Sequence, residues 1–261
     1  MELRPLGNTG IRVSPLGLGT VKIGRNRQVK YPRAFQLPDD GQVRELLALA
    51  RDLGINLIDT APAYGSSEER LGRLLPGSRG AWVIVSKVGE AFVDGESRFD
   101  FSAAGTRRSV ERSLRRLGTD YLDAVLIHSD GDDLRILEQE PVLETLIDLK
   151  REGLIRAHGM SSKTLAGGLR VVELCDLVMA SLNLECRDEL PVLAAAQAAG
   201  KGVLIKKGLQ SGHAAVGGGA PAALGYLFAQ PGVSSVIVGT INPEHLRQNV
   251  EAALTALAGP G

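Results

Sequence analysis

Short apolar runs alternate with helical patterns along most of the chain. The runs have the length of buried strands, and the longer segments between them carry apolar residues at helical spacing. Strands are predicted at 16–18, 55–58, 82–85, 122–127, 155–160, 177–182, 203–205 and 236–238. Helices are predicted near 43–50, 66–75, 102–117, 139–152, 163–173, 189–199, 221–229 and 243–257. Taken in order, these segments form eight strand–helix units.

This repeat predicts an α/β fold, the (β/α)8 TIM barrel. Neighbouring strands must be parallel because a helix crosses over between each strand and the next. Such barrels typically have about 250 residues, and this chain has 261. An open dinucleotide-binding sheet would instead need a Gly-x-Gly-x-x-Gly turn, whereas Gly17-Leu18-Gly19 is followed by Gly24 at the wrong spacing. We expect a single domain over residues 1–261.

Residues 3–17, which precede most of the repeat, have the pattern of a β-hairpin. Gly7-Asn8-Thr9-Gly10 has the composition of a turn, and apolar residues such as Leu6 and Ile11 flank it. We expect this N-terminal hairpin to close the bottom of the barrel.

Polar side chains end several of the predicted strands. Asp59 follows the second strand, and Tyr64 lies just beyond a turn that contains proline. Lys87 ends the third strand and His128 the fourth. Each residue alone has an ordinary structural explanation as a cap, a core residue or a surface residue. Because the active site of such a barrel lies at the carboxyl ends of its strands, the four together predict a catalytic site.

These four side chains suit proton transfer to a carbonyl oxygen. A tyrosine has a pKa of about 10 and is a poor acid at neutral pH, but a nearby ammonium group lowers that pKa. Lys87 is expected to lower the pKa of Tyr64, and Asp59 to keep Lys87 charged. His128 is expected to donate a hydrogen bond that orients the substrate oxygen. The simplest electron source for a metal-free site of this kind is the hydride of a nicotinamide.

Composition and charge argue against several other classes of protein. Thirty basic and thirty acidic residues give no net charge, so nothing indicates a nucleic-acid partner. The two cysteines, Cys175 and Cys186, are too few for a disulfide framework. The motifs of phosphoryl transfer and of zinc sites are missing, and we expect neither a signal peptide nor a membrane span. We expect a cytoplasmic protein that acts on small molecules, and no pattern indicates its oligomeric state.

Two loops bear on ligand binding. The loop after the first strand carries five cations, which either are solvated or meet an anionic cofactor or substrate; they are Lys22, Arg25, Arg27, Lys30 and Arg33. In the loop after the third strand, Phe92, Phe99 and Phe101 are candidates for an apolar wall of the substrate pocket, with anchoring of the next helix as the alternative for Phe99 and Phe101.

Five segments, in order through nearly the whole chain, resemble the aldo-keto reductases. They are Asn56-Leu57-Ile58-Asp59-Thr60-Ala61-Pro62-Ala63-Tyr64-Gly65, Val85-Ser86-Lys87, Leu122-Asp123-Ala124-Val125-Leu126-Ile127-His128, Gly159-Met160-Ser161-Ser162 and Gly239-Thr240-Ile241-Asn242-Pro243-Glu244-His245-Leu246. The resemblance implies an NADPH-dependent barrel enzyme that reduces aldehydes or ketones without metal or flavin. It also implies that Tyr64 is the general acid, that Lys87 and Asp59 tune it, and that His128 orients the carbonyl.

The resemblance further implies a set of cofactor-binding residues: Gly19, Thr20, Asp59, Ser161, Ser162, Asn183, Lys206, Lys207, Gly239, Thr240, Gln248 and Asn249. Ser161 and Ser162 stand where the family holds the carboxamide with serine and asparagine. No aromatic residue follows the seventh strand to stack on the nicotinamide. Gly239 and His245 replace the lysine and arginine that many members direct at the 2′-phosphate. NADPH is the expected cofactor, with NADH as the alternative.

Two other functions fit parts of the pattern. A lysine at a strand end is also the start of a Schiff-base aldolase site, but Asp59 would keep Lys87 protonated and so oppose nucleophilic attack. A non-catalytic barrel that binds NADP and senses redox state is the other alternative, and the intact set of four residues argues for catalysis instead.

Overall fold

A computed structural model describes residues 1–29, 31, 34–75, 77, 79–210 and 219–259. Lys30 and Arg33, two of the five cations of the loop after the first strand, lie outside this set.

The strands agree closely with the predicted apolar runs. In chain order they are β1 (Arg4–Pro5), β2 (Arg12–Val13), β3 (Leu16–Gly19), β4 (Leu57–Asp59), β5 (Val83–Val88), β6 (Glu90–Val93), β7 (Glu96–Phe99), β8 (Leu122–His128), β9 (Ile155–Ser161), β10 (Leu177–Ser181), β11 (Gly202–Lys206) and β12 (Ser235–Val238). Eight of them form a closed parallel barrel in the order β3-β4-β5-β8-β9-β10-β11-β12. This confirms the predicted (β/α)8 barrel.

Helices connect the barrel strands. They are α1 (Val21–Gly24), α2 (Asp40–Asp52), α3 (Ser67–Leu74), α4 (Ala103–Leu117), α5 (Asp133–Gln139), α6 (Val142–Arg151), α7 (Leu165–Leu174), α8 (Leu190–Ala198), α9 (Gly219–Phe228) and α10 (Pro243–Ala258). In the described part of the chain, none of these helices is long and apolar enough to cross a bilayer.

The predicted helix over 139–152 is wrong at its start. The chain instead forms two helices, with α5 ending at Gln139 and α6 beginning at Val142. Pro141 lies between them, and because proline has no backbone N–H it starts a helix well but cannot sit inside one.

Each barrel strand contributes to two apolar layers because successive side chains point to opposite faces. Ile58 and Ile84 pack outward against the helices, whereas Leu57 and Val85 fill the interior of the barrel. Leu6, from the turn between β1 and β2, belongs to the same interior cluster. The antiparallel pair β1–β2 therefore closes the amino end of the barrel, as predicted, and the carboxyl ends of the strands remain for a site.

The strands β6 and β7 form a second hairpin, which the apolar pattern did not predict. Residues Glu96–Phe99 of β7 are all exposed, so this segment has no buried face to produce a recognisable alternation. Asp94 and Gly95 join the strands, and both have positive φ, +55° and +87°. An Asp-Gly pair of this conformation is typical of a two-residue hairpin turn.

Candidate active site

The barrel brings three of the four predicted catalytic residues to adjacent strand ends. Asp59 is the last residue of β4, Lys87 lies near the end of β5, and His128 is the last residue of β8. The strands β4, β5 and β8 are neighbours in the sheet. Tyr64 ends a short 3₁₀ turn that begins at Pro62, and it stands over the same rim.

Lys87 and Asp59 form a buried ion pair below Tyr64. The Lys87 Nζ lies 2.5 Å from Asp59 Oδ1, and the two side chains are 1% and 6% exposed. Nζ also donates to the carbonyl oxygen of Thr60 at 3.0 Å. The same nitrogen lies 4.7 Å from the centre of the Tyr64 ring, so the ammonium group faces the phenol while the carboxylate balances its charge.

Tyr64 is not acidified in this structure. Burial first, and then the charge of Asp59, raise the pKa of Tyr64 well above its ordinary value of 10. The Tyr64 hydroxyl donates a long hydrogen bond, 3.5 Å, to Asp59 Oδ2. The expected net acidification is therefore wrong here, because burial and the charge of Asp59 outweigh any lowering of the pKa by Lys87. The phenol keeps its proton and has it available to donate.

His128 contacts an acidic residue, Glu90, that nothing in the sequence pattern singled out. The ring lies edge-on to Tyr64, with centroids 6.3 Å apart at 87°. Its Nδ1 lies 2.8 Å from Glu90 Oε2. Glu90 is the first residue of β6, outside the barrel. Its position three residues after Lys87 is the one sequence signal that could have pointed to it. Its contact with the ring makes it part of the site.

A long cavity opens at the carboxyl end of the barrel. It is lined by Tyr64, Lys87 and His128 and by nine of the predicted cofactor residues. Those nine are Gly19, Asp59, Ser161, Lys206, Lys207, Gly239, Thr240, Gln248 and Asn249. Its volume of about 1930 Å³ exceeds the roughly 300–1000 Å³ of a pocket for a drug-sized ligand.

Three predicted cofactor residues, Thr20, Ser162 and Asn183, lie behind the cavity wall and are not among its lining residues. The Thr20 hydroxyl donates to the Asp59 carbonyl oxygen at 2.9 Å. The Asn183 side-chain oxygen accepts from the backbone N–H groups of Glu185 and Cys186, so it organises the turn after β10. The Ser162 hydroxyl is buried and has no hydrogen-bond partner among the described residues.

Lys206 holds the end of β9 as well as lining the cavity. Its Nζ donates to the Ser161 hydroxyl at 2.8 Å and to the Ser162 carbonyl oxygen at 2.5 Å. Burial lowers the pKa of Lys206 to about 8, although Glu189 opposes that shift. Lys206 therefore fixes the position of Ser161, the residue that the resemblance assigns to the carboxamide.

The three phenylalanines do not form the expected apolar wall. None of them is a lining residue of the cavity. Phe101 is buried in the outer core, and Phe99 is exposed and stacks on it. Phe92 packs under the guanidinium of Arg25, 3.5 Å from its centre. An aromatic residue that does line the cavity is Tyr31, and Lys22 Nζ lies 4.1 Å from the centre of that ring.

The residues present fit an elongated anion such as a dinucleotide. Among the described residues that line the cavity, basic side chains outnumber carboxylates. The basic ones are Lys22, Arg25, Lys87, Lys163, Lys206 and Lys207, and the carboxylates are Asp59 and Glu251. At Gly239 an added Cβ would lie 3.3 Å from the Tyr31 hydroxyl. A side chain at this position would therefore narrow the cavity between the strand ends and α10.

Comparison with known proteins places these features in a family. A family model described as the aldo/keto reductase family matches residues 15–215. The uncharacterized oxidoreductase YqkF of Bacillus subtilis is 30% identical, over 97% of this chain and 91% of that protein. L-galactose dehydrogenase of Arabidopsis thaliana is 36% identical over 62% of this chain, and the match spans about half, 48%, of that enzyme. The crystal structure of PA4992 from Pseudomonas aeruginosa superposes with a TM-score of 0.90, at 59% identity, and the match covers 98% of this chain and 95% of that one.

Proposed function

The chain belongs to the aldo/keto reductase family and is an NAD(P)H-dependent oxidoreductase, and we propose that it reduces aldehydes or ketones to alcohols with Tyr64 as the general acid. The observation that carries this proposal is the Tyr64 phenol at the cavity wall, with Lys87 Nζ 4.7 Å from the centre of its ring and paired with buried Asp59. Bound NAD(P)H supplies the hydride for the carbonyl carbon.

The proton comes from Tyr64. As its O–H bond breaks, negative charge develops on the phenol, and the Lys87 ammonium 4.7 Å from the ring centre stabilises that charge. Before the reaction, the negative charge of Asp59 balances the positive charge of Lys87. The charge of Lys87 acts weakly on the neutral phenol and more strongly on the negative charge that develops on it, which is the difference that lowers a reaction barrier.

NADPH is the proposed cofactor, with NADH as the alternative. Ser161, Gln248 and Asn249 offer hydrogen-bonding groups along the cavity, and Lys206 and Lys207 offer positive charge near the strand ends. At the α10 end of the cavity, Gly239 and His245 supply no fixed positive charge for a 2′-phosphate. Titrating the protein with NADPH and with NADH, and following nucleotide fluorescence, tests this preference without turnover.

A Schiff base on Lys87 is disfavoured by its ion pair. The Asp59 carboxylate 2.5 Å from Lys87 Nζ favours an ammonium group by its charge, whereas nucleophilic attack needs the free amine. Borohydride in the presence of a carbonyl substrate would leave a stable adduct on Lys87 if the aldolase alternative were right.

The decisive experiment is the substitution Tyr64→Phe, assayed with 4-nitrobenzaldehyde and each nucleotide. We expect kcat to fall by about 100-fold to 10,000-fold, the usual contribution of a general acid, with nucleotide affinity unchanged. Tyr121→Phe is the matched control, since Tyr121 precedes β8 at the opposite end of the barrel. Retention of most turnover in Tyr64→Phe would refute the assignment of the general acid.

A further inference from the structure

Glu90 is a fixed carboxylate beside the catalytic residues. Its side chain is 13% exposed. One oxygen, Oε1, accepts a hydrogen bond from the Ser97 hydroxyl at 2.6 Å, across the β6–β7 hairpin. The other oxygen faces His128. The hydrogen bond from Ser97 holds Glu90 in place before any ligand binds.

We propose that Glu90 is a positioning residue that holds the proton of neutral His128 on Nδ1. Nε2 then accepts a hydrogen bond from a ligand, and it donates one only after the ring gains a second proton. This inference rests on the proposed function, because it concerns how His128 meets the reacting oxygen. It changes the expected role of His128, which was that of a hydrogen-bond donor.

The position of the proton follows from the contact with Glu90. Burial by itself raises the pKa of Glu90, but His128, Ser97 and Arg25 outweigh burial and bring the pKa down to about 2. Glu90 is therefore ionised near neutral pH. A carboxylate oxygen 2.8 Å from Nδ1 would repel an unshared electron pair on that nitrogen, so Nδ1 carries the proton. A neutral imidazole has one N–H, which leaves Nε2 unprotonated.

The unprotonated nitrogen faces the ligand. Nδ1 is buried and has no aligned hydrogen bond among the described residues, so its contact with Glu90 is one of charge. The side chain as a whole is 19% exposed and lines the cavity. The exposed edge is therefore the one that carries Nε2. In this state the ring can accept a hydrogen bond from an alcohol hydroxyl, but it cannot donate one to a carbonyl oxygen.

Several groups affect how readily the neutral His128 ring binds a second proton. Burial has the largest influence and lowers the pKa of His128 below its ordinary 6.5, Lys87 and Lys206 lower it further by their charge, and Glu90 opposes them. Tyr64 faces the same ring and stays neutral. Near neutral pH the ring is mainly neutral, so His128 suits the alcohol. At lower pH it becomes a donor that suits the carbonyl, while the proton transferred to oxygen still comes from Tyr64.

The nitrogen resonances of the His128 ring test the proposal without any turnover. The chain has four histidines, and a spectrum of His128→Gln identifies the signals of this one. At pH 7.5 we expect Nδ1 protonated and Nε2 unprotonated in the wild-type protein. A wild-type spectrum with the proton on Nε2 would overturn the proposal, whatever the variants do.

Glu90→Gln tests whether the carboxylate is responsible. We expect a larger fraction of His128 with the proton on Nε2, and a His128 pKa lower by about 1–3 units, the usual effect of losing a nearby opposite charge. Glu96→Gln removes the same charge from an exposed position on the same hairpin and should change neither quantity. An unchanged His128 in Glu90→Gln would refute the role of Glu90.

Kinetics then link the tautomer to the reaction. In the wild-type enzyme, kcat/KM for carbonyl reduction should fall as pH rises through the His128 pKa, and in Glu90→Gln this fall should move to lower pH by the shift seen in the spectra. A purely structural role for Glu90 would lower activity at all pH values without moving the profile. If Tyr64→Phe stayed active, the proposed function would fail while the spectral result for His128 stood on its own.

Discussion

The two ends of the barrel each bury a carboxylate against basic groups, but they complete its contacts differently. At the amino end, Asp123 accepts from Arg79 at 2.6 Å, from the backbone N–H of Ile84 at 2.9 Å and from Arg156 at 3.2 Å. Both arginines also stack on the ring of Tyr121, at 4.2 and 4.0 Å from its centre. This carboxylate has partners on both oxygens, as expected for a structural ion pair.

At the carboxyl end, Asp59 has one close partner. Oδ1 meets Lys87 at 2.5 Å, but Oδ2 has the Tyr64 hydroxyl at 3.5 Å. The cavity above it measures about 1930 Å³, against about 290 Å³ for the pocket beside Asp123. The comparison shows that a buried ion pair is not by itself a sign of catalysis. What distinguishes the reactive end is incomplete pairing next to open space, with a lysine in place of the arginines.

The most direct test of this difference between the two ends is to remove the charges at the carboxyl end. Replacing a buried ion pair with apolar residues of similar size is often neutral or stabilises by about 1–4 kcal/mol. The double variant Asp59→Leu with Lys87→Met should therefore fold at least as stably as the wild type. Its kcat should fall by about 100-fold to 10,000-fold, because the phenolate of Tyr64 loses its stabilising ammonium.

Urea unfolding and assays with 4-nitrobenzaldehyde measure these two quantities on the same preparations. The single variant Lys87→Met serves as a reference, since it leaves Asp59 buried without its cation and should be the less stable protein. A double variant that lost several kcal/mol of stability would show that this pair supports the fold in the way the Asp123 cluster does.

The second test makes the opposite change at the amino end. Asp123→Asn should lower the free energy of unfolding by about 3–5 kcal/mol, the cost of removing one partner from a buried ionic cluster. The kcat of the folded fraction should stay at the wild-type value, because the cluster lies below the interior apolar layer and away from Tyr64. Asp120→Asn, an exposed neighbour, is the control for both measurements. A large change in kcat would show that the two ends are coupled.

The sequence predicted the strands, and the clustering of Asp59, Tyr64, Lys87 and His128 at one end of the barrel, better than the electrostatics between these residues. Apolar runs such as the one in β8 determine a buried parallel strand almost alone, and the residue that ends the run then falls at the active rim. The pKa of Tyr64 was mispredicted because it depends on burial and on how Asp59 and Lys87 share charge. Neither quantity is visible in the order of residues.

Side-chain direction was the other quantity that the sequence left open. Ser161 and Ser162 are adjacent, yet Ser161 lines the cavity and Ser162 does not, as expected where successive side chains of an extended chain point to opposite faces. Glu90 reaches the site from a hairpin whose partner strand is exposed, so no buried run marked it. Residues brought in from outside the repeat are the ones that the pattern cannot place.

The smallest expected effect is on the pH dependence of stability, because the carboxylates at the two ends are paired with different kinds of cation. Asp123 is paired with arginines, whereas Glu90 at the other end is paired with a histidine. The pKa of Glu90 lies below its ordinary 4.5, at about 2, in the folded protein. Folding therefore favours the ionised carboxylate, and the resulting stability is fully present above pH 4.5 and lost as pH falls towards 2.

Comparing the unfolding free energies of wild type and Glu90→Gln across this window should reveal a difference that shrinks by about 1–2 kcal/mol, since solvent screens a partly exposed group. The same comparison with Glu96→Gln should stay flat. A difference for Glu90→Gln that stayed constant from pH 5 to pH 2 would mean that the contact with His128 does not hold the carboxylate in its charged form.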